Sequence, residues 1–178
     1  MADVLVCFDG SDGATHAIAA ASRILVTRSA LVLTVAEPPD PWELSDPGAV
    51  LSATVSKLAS NRLGLEEIAR QQALSINQRG VDLAQAAGFT ATGNVVTGKV
   101  ADCICREAEQ TGADVVAMGT RGRSRVQVAV LGSVSAAVIA HAHRPVLVIA
   151  PTKEQDGRAV EQDDRAEDRD DRRPEQDD

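Results

Sequence analysis

Five short strand-like runs, set apart by segments of helical periodicity, constrain this chain more than any other feature. They are "DVLVCF" at 3–8, "ALVLTV" at 30–35, "TATGNVVT" at 90–97, "DVVAM" at 114–118 and "RPVLVIA" at 144–150. Runs this short and this apolar suit strands covered on both faces. Between them, Ala14, Ala17, Ile18, Ala21, Ile24 and Leu25 fall on one helical stripe, with Ser11 placed to cap its start. A longer helical region is predicted over 50–87, with Leu65, Ile68, Ala69, Ile76 and Leu83 at helical spacing and Gly88 as its stop. Gly64 and Gly80 argue against its being one unbroken helix. Ala101, Ile104, Cys105 and Ala108 mark a third helix, and Val134, Ala137, Val138 and His141 a fourth. The four prolines of "EPPDPWELSDPG" exclude regular structure over 37–48. Five strands alternating with four helices predict an α/β fold, a doubly wound, five-stranded parallel sheet with helices on both faces.

With 178 residues, 44% of them hydrophobic, the chain can bury one core. The expected division is a domain over 1–151 and a tail over 152–178. That tail holds twelve acidic and six basic residues, so it carries −6 of the chain's net charge of −8. It has too few apolar residues to offset the entropy of ordering and reads as an acidic, Asp/Arg-rich disordered segment. Aromatic residues make up only 2%, with no tyrosine. That removes the stacking platforms on which single-strand and RNA binders rely, and the net acidity opposes nucleic acid further.

No run of about eighteen apolar residues is present, so no membrane span is expected. Asp3, Asp9 and Asp12 are inconsistent with a secretory leader. Cys7, Cys103 and Cys105 lack zinc or CxxC spacing and read as buried thiols of a reducing compartment, which predicts a cytoplasmic location. His16, His141 and His143 read as surface or structural residues, since a metal would need a third ligand that is not evident.

The chemistry concentrates in "GTRGRSRVQVAVLGS", 119–133, which leaves the fourth strand directly after Met118 and opens the last helix. In a doubly wound sheet, ligands bind outside the carboxyl ends of the strands. Gly132 and Ser133 begin a helix, whose unpaired amides and dipole favour an anion. Ser133 and Ser135 add hydroxyls, and Arg121, Arg123 and Arg125 add positive charge suited to phosphate. Alternatively, Gly119 only ends a strand and Gly132 only permits close packing. Asp9 stands at the equivalent end of the first strand, where its carboxylate can accept from a ribose or a base, or serve as a turn residue. "GNVVTGKV" at 93–100 nearly spells a P-loop, but Val100 cannot ligate Mg²⁺ and the preceding residues read as strand.

Gly119 and Gly122, then nine residues, then Gly132-Ser133 resemble the G-x2-G-x9-G-[S/T] ATP-binding signature of the universal stress protein family. The likeness extends through "VLVCFDGS", "LVLTV", "VVTG", "ADVVAMGTRGRS" and "LGSVSAAVIAHAHRPVLVIAP". It implies strand order 3-2-1-4-5 and a homodimer formed through the last strand, here bounded by Pro145 and Ile149. It further implies an adenine nucleotide, ATP with Mg²⁺ or else ADP or AMP. The candidate contacts are Asp9, Val35, Met118, Gly119, Gly122, Arg123, Gly132, Ser133 and Ser135. Val100 departs from the proline often found at that position, and the tail lies outside the family pattern. No nucleophile, base and orienting acid form a recognisable set, so at most slow hydrolysis is expected. The expected function is an ATP-binding stress-response regulator; a nucleotide-independent dimeric scaffold or chaperone-like module and a slow ATPase are the alternatives.

Overall fold

The computed structural model describes residues 2–27, 29–37, 62–120 and 131–150. Five strands, β1 (Val4–Cys7), β2 (Ser29–Ala36), β3 (Thr90–Thr97), β4 (Val115–Gly119) and β5 (Val146–Ile149), alternate with four helices, α1 (Asp12–Ile24), α2 (Arg62–Ala86), α3 (Val100–Thr111) and α4 (Ser133–His141). The strands form one sheet in the order β3-β2-β1-β4-β5, and every pairing is parallel. This is the doubly wound sheet that the alternation and the family resemblance predict.

Alternate residues of the central strands supply the two cores. Val4, Val6, Ala30, Val32 and Ala117 pack against α1 and α2 on one face. Leu5, Leu33, Val116 and Met118 pack against α3 and α4 on the other. Leu5, Ile18 and Leu33 are almost wholly buried, each contributing on the order of 1.5–3 kcal/mol. Burial on both faces is why the strands read as continuous apolar runs instead of alternating ones.

Ser11 caps α1 as expected: its backbone is extended and its Oγ accepts from the Ala14 amide at 3.1 Å. Helix α2 ends where Gly88 takes up a φ of 96°, which a residue with a side chain adopts reluctantly.

Gly64 and Gly80, which weigh against an unbroken helix, do not interrupt α2. The helix runs unbroken from Arg62 to Ala86, and Gly80 is there for packing: a Cβ at that position would lie 2.6 Å from Phe8 Cδ1 and 2.9 Å from Val32 Cγ1. The expected apolar stripe also differs. Ile68 is 53% exposed, whereas Ala73, Asn77, Gly80, Val81 and Ala84 are buried. Small residues win these positions because α2 approaches the sheet closely. The predicted helix start near residue 50, the proline-rich stretch and the acidic tail lie outside the described residues.

Candidate functional site

An open cavity of about 590 Å³ lies at the carboxyl edge of the sheet, where the strand order turns from β1 to β4. Asp9 and Val35, at the ends of β1 and β2, line one side. Met118, Gly119, Gly132, Ser133 and Ser135 line the other. The fold thus brings seven of the nine candidate residues to one cavity. Gly122 and Arg123, with Arg121 and Arg125, lie outside the described residues.

The two ends of the glycine-rich segment are stitched together. The Gly132 amide donates to the Thr120 carbonyl at 2.9 Å, and the Thr120 amide donates to the Ile149 carbonyl at 3.0 Å. Ser135 is buried, and its hydroxyl lies 3.2 Å from the Gly119 carbonyl and 3.3 Å from that of Thr120. A Cβ on Gly132 would come within 2.9 Å of the Thr120 oxygen. At a φ of −64°, what this position requires is close approach and not an unusual backbone. Gly132 caps α4 without a side-chain hydrogen bond, so among the described residues the first amides of the helix stand at the cavity without a side-chain cap. Ser133 beside them is exposed, in contrast to Ser135.

On the β1 side, Asp9 Oδ1 accepts from the Ser11 amide at 3.0 Å, an arrangement that turns the chain from strand into helix α1. Cys7 also lines the cavity. Burial holds its thiol far above the ordinary range, with Cys105 and then Asp9 adding to the effect, up to about 12. Cys105 is likewise raised, by burial and then by Asp102 and Glu109. Both thiols are therefore neutral near pH 7 and poor nucleophiles.

A wall of the cavity that the motif reading missed comes from α2, through Ala69, Gln72, Ala73 and Ile76. Their spacing of three and four places them on one helical face. That spacing was visible, but nothing local distinguished a face toward a cavity from one toward a core. The P-loop-like residues 93–97 lie within β3, paired to β2, where they cannot wrap a phosphate. Gly93 admits Asn77, whose Oδ1 would stand 2.0 Å from an added Cβ. His141 and His143 are exposed and His16 is half-buried. Among the described residues, no group of three or more His, Cys, Asp or Glu could hold a metal, and no helix is long and apolar enough to cross a membrane.

The strand order, the helices on both faces and the cavity at the switch point define a doubly wound α/β protein of the kind that carries its ligand site at the carboxyl edge of the sheet. The chain belongs to the universal stress protein family, whose sequence profile matches residues 1–150. It is 32% identical over 147 residues to a universal stress protein of Thermus aquaticus, covering 82% of this chain and 96% of that one. Its fold is shared by a universal stress protein in complex with cAMP, at a TM-score of 0.54, 24% identity and coverage of 83% and 94% of the two chains. It is shared too by a family member from Arabidopsis thaliana with AMP bound, at a TM-score of 0.55, 18% identity and coverage of 86% and 94%.

Proposed function

We propose that the carboxyl-edge cavity holds an adenine nucleotide, ATP with Mg²⁺ foremost, and that the bound nucleotide switches conformation or partner affinity in a stress response. The observation that carries this reading is the composition of the cavity: an apolar body joined to the amino terminus of α4, with Gly119 and Gly132 drawn together at its rim. Its volume of about 590 Å³ is in the range of small-molecule sites. AMP and cAMP in two proteins of the same fold support the ligand class.

In this reading Asp9 and Val35 contact the adenosine, and Met118 lines its pocket. Gly119, Gly122, Gly132 and Ser133 cradle ribose and phosphates, with Arg123 supplying charge. Ser135 serves the cradle from beneath, by holding the loop carbonyls. Mg²⁺, which keeps several waters and few protein ligands, would be held largely by the phosphates. No catalytic set is assigned, and hydrolysis is at most slow.

The same reading includes a homodimer through the last strand, Pro145 to Ile149, in the cytoplasm. β5 ends the described sheet, and its outer edge suits pairing with a second copy. Sedimentation equilibrium tests this part: a monomer at tens of micromolar would remove it.

Calorimetric titration of nucleotide-stripped protein with ATP and Mg²⁺, repeated with ADP, AMP and cAMP, tests the ligand. One site per chain with a Kd at or below about 100 μM, equivalent to about −5.5 kcal/mol, is expected. No heat for any of the four, with an unchanged Tm at millimolar ATP, would leave the dimeric scaffold as the function.

A further inference from the structure

The short segment that carries Asp9 is gripped from outside the cavity by helix α2. Arg79 Nη2 donates to the Gly10 carbonyl at 2.6 Å, and its guanidinium lies 5.7 Å from the centroid of the Phe8 ring. The residue before Asp9 and the residue after it are thus both held by one side chain. A lysine could make either contact only in part, because the planar guanidinium both donates and covers an aromatic face at once.

The fit is close on every side. Gly10 has a φ of 87°, and a Cβ there would stand 2.9 Å from Arg79 Nη2 and 3.3 Å from Ile76 Cγ2. Gly80 brings the helix backbone against Phe8. One turn earlier, Asn77 Nδ2 reaches Thr34 Oγ1 at 3.2 Å, and that hydroxyl donates to the Phe8 carbonyl at 2.8 Å. Meanwhile Ala73 and Ile76 of the same helix face the cavity. One rigid element therefore forms a wall of the cavity and sets the backbone that presents Asp9.

We propose that Arg79 is a positioning residue of the nucleotide site, fixing the Phe8–Asp9–Gly10 segment so that the Asp9 carboxylate meets the adenosine in a preset place; this rests on the nucleotide reading above. Arg79 touches no ligand in this role and acts through the backbone of Gly10 and the ring of Phe8. The energy it supplies is preorganisation: without it, a ligand must order the segment on binding.

The test uses the full-length chain and three variants, Arg79→Ala, Arg79→Lys and Arg70→Ala, the last removing an exposed charge from the same helix. AMP affinity is measured by calorimetry, and amide hydrogen exchange of ligand-free protein is followed at residues 8–11 and across β1. Arg79→Ala is expected to weaken AMP about five- to tenfold and to speed exchange at 8–11 by a similar factor, the loss of roughly one hydrogen bond. Exchange within β1 should be unchanged, Arg79→Lys should recover part of both effects, and Arg70→Ala should match wild type. Equal affinity and equal exchange in Arg79→Ala would overturn the assignment, as would an equal loss in Arg70→Ala, which would make the effect one of charge alone. If wild type binds no AMP, the ligand-site role of Arg79 falls with the nucleotide reading. Exchange then decides separately whether the grip on 8–11 exists.

Discussion

Ser135 reaches back across the start of α4 to hold the Gly119 carbonyl at 3.2 Å, while Ser133, two residues earlier, stays exposed at the cavity. Two serines that look equivalent in the motif therefore have different physical work. Ser135→Ala removes a buried hydrogen bond and should cost about 1 kcal/mol, a fall in Tm of roughly 2–4 °C for a chain of this size. Ser133→Ala should leave Tm unchanged and weaken only nucleotide binding. Thermal denaturation and calorimetry on the two variants separate the roles.

Gly132→Ala tests the seam. The backbone at Gly132 is accessible to alanine, but the new methyl would press on the Thr120 oxygen at 2.9 Å. The rim must open to relieve this, so ATP affinity should fall by about tenfold or more, equivalent to about 1.4 kcal/mol. Calorimetry that finds wild-type affinity would show that the seam is not part of the cradle.

Gly80→Ala sets local preference against packing. In an isolated helix alanine would be favoured by about 1 kcal/mol. Here the methyl would lie 2.6 Å from Phe8 Cδ1 and 2.9 Å from Val32 Cγ1, both of buried residues. Overpacking of this kind costs about 1–3 kcal/mol, so a net loss of stability is expected in urea denaturation. A stabilised variant would mean that α2 can move away from the sheet.

The Cys7 thiol gives the folded protein an alkaline weakness. Its folded pKa, near 12, is raised above the ordinary 9.0 by burial first, then by Cys105 and Asp9. The unfolded chain therefore releases this proton first as pH rises. Any contribution is fully retained below pH 9 and is lost between about pH 9 and 12, at up to about 1.4 kcal/mol per pH unit. Urea denaturation of wild type and Cys7→Ser between pH 8 and 11 should show the steeper decline in wild type. Parallel curves would remove Cys7 as the cause.

Much of the architecture was legible because it is local. The apolar runs reported strands buried on both faces, Ser11 reported a helix start, and Gly88 reported a stop. The glycine–serine signature marked residues that do line one cavity, and the likeness to a known family supplied the strand order. The reading of α2 erred at Ile68, which looks like core when only hydrophobicity is weighed but is exposed, and Gly80, which weighed against continuity, serves packing against Phe8.

The sequence by itself determined which segments become strands and helices and which residues stand at the strand ends, because those properties depend on neighbours a few positions away. Only the tertiary structure decided that Ser135 turns inward, that α2 walls the cavity through Ala69, Gln72, Ala73 and Ile76, and that Arg79 grips Gly10. The Arg79–Gly10 bond joins residues 69 positions apart. Its existence depends on how closely a helix is seated on a sheet, and no periodicity along the chain encodes that distance.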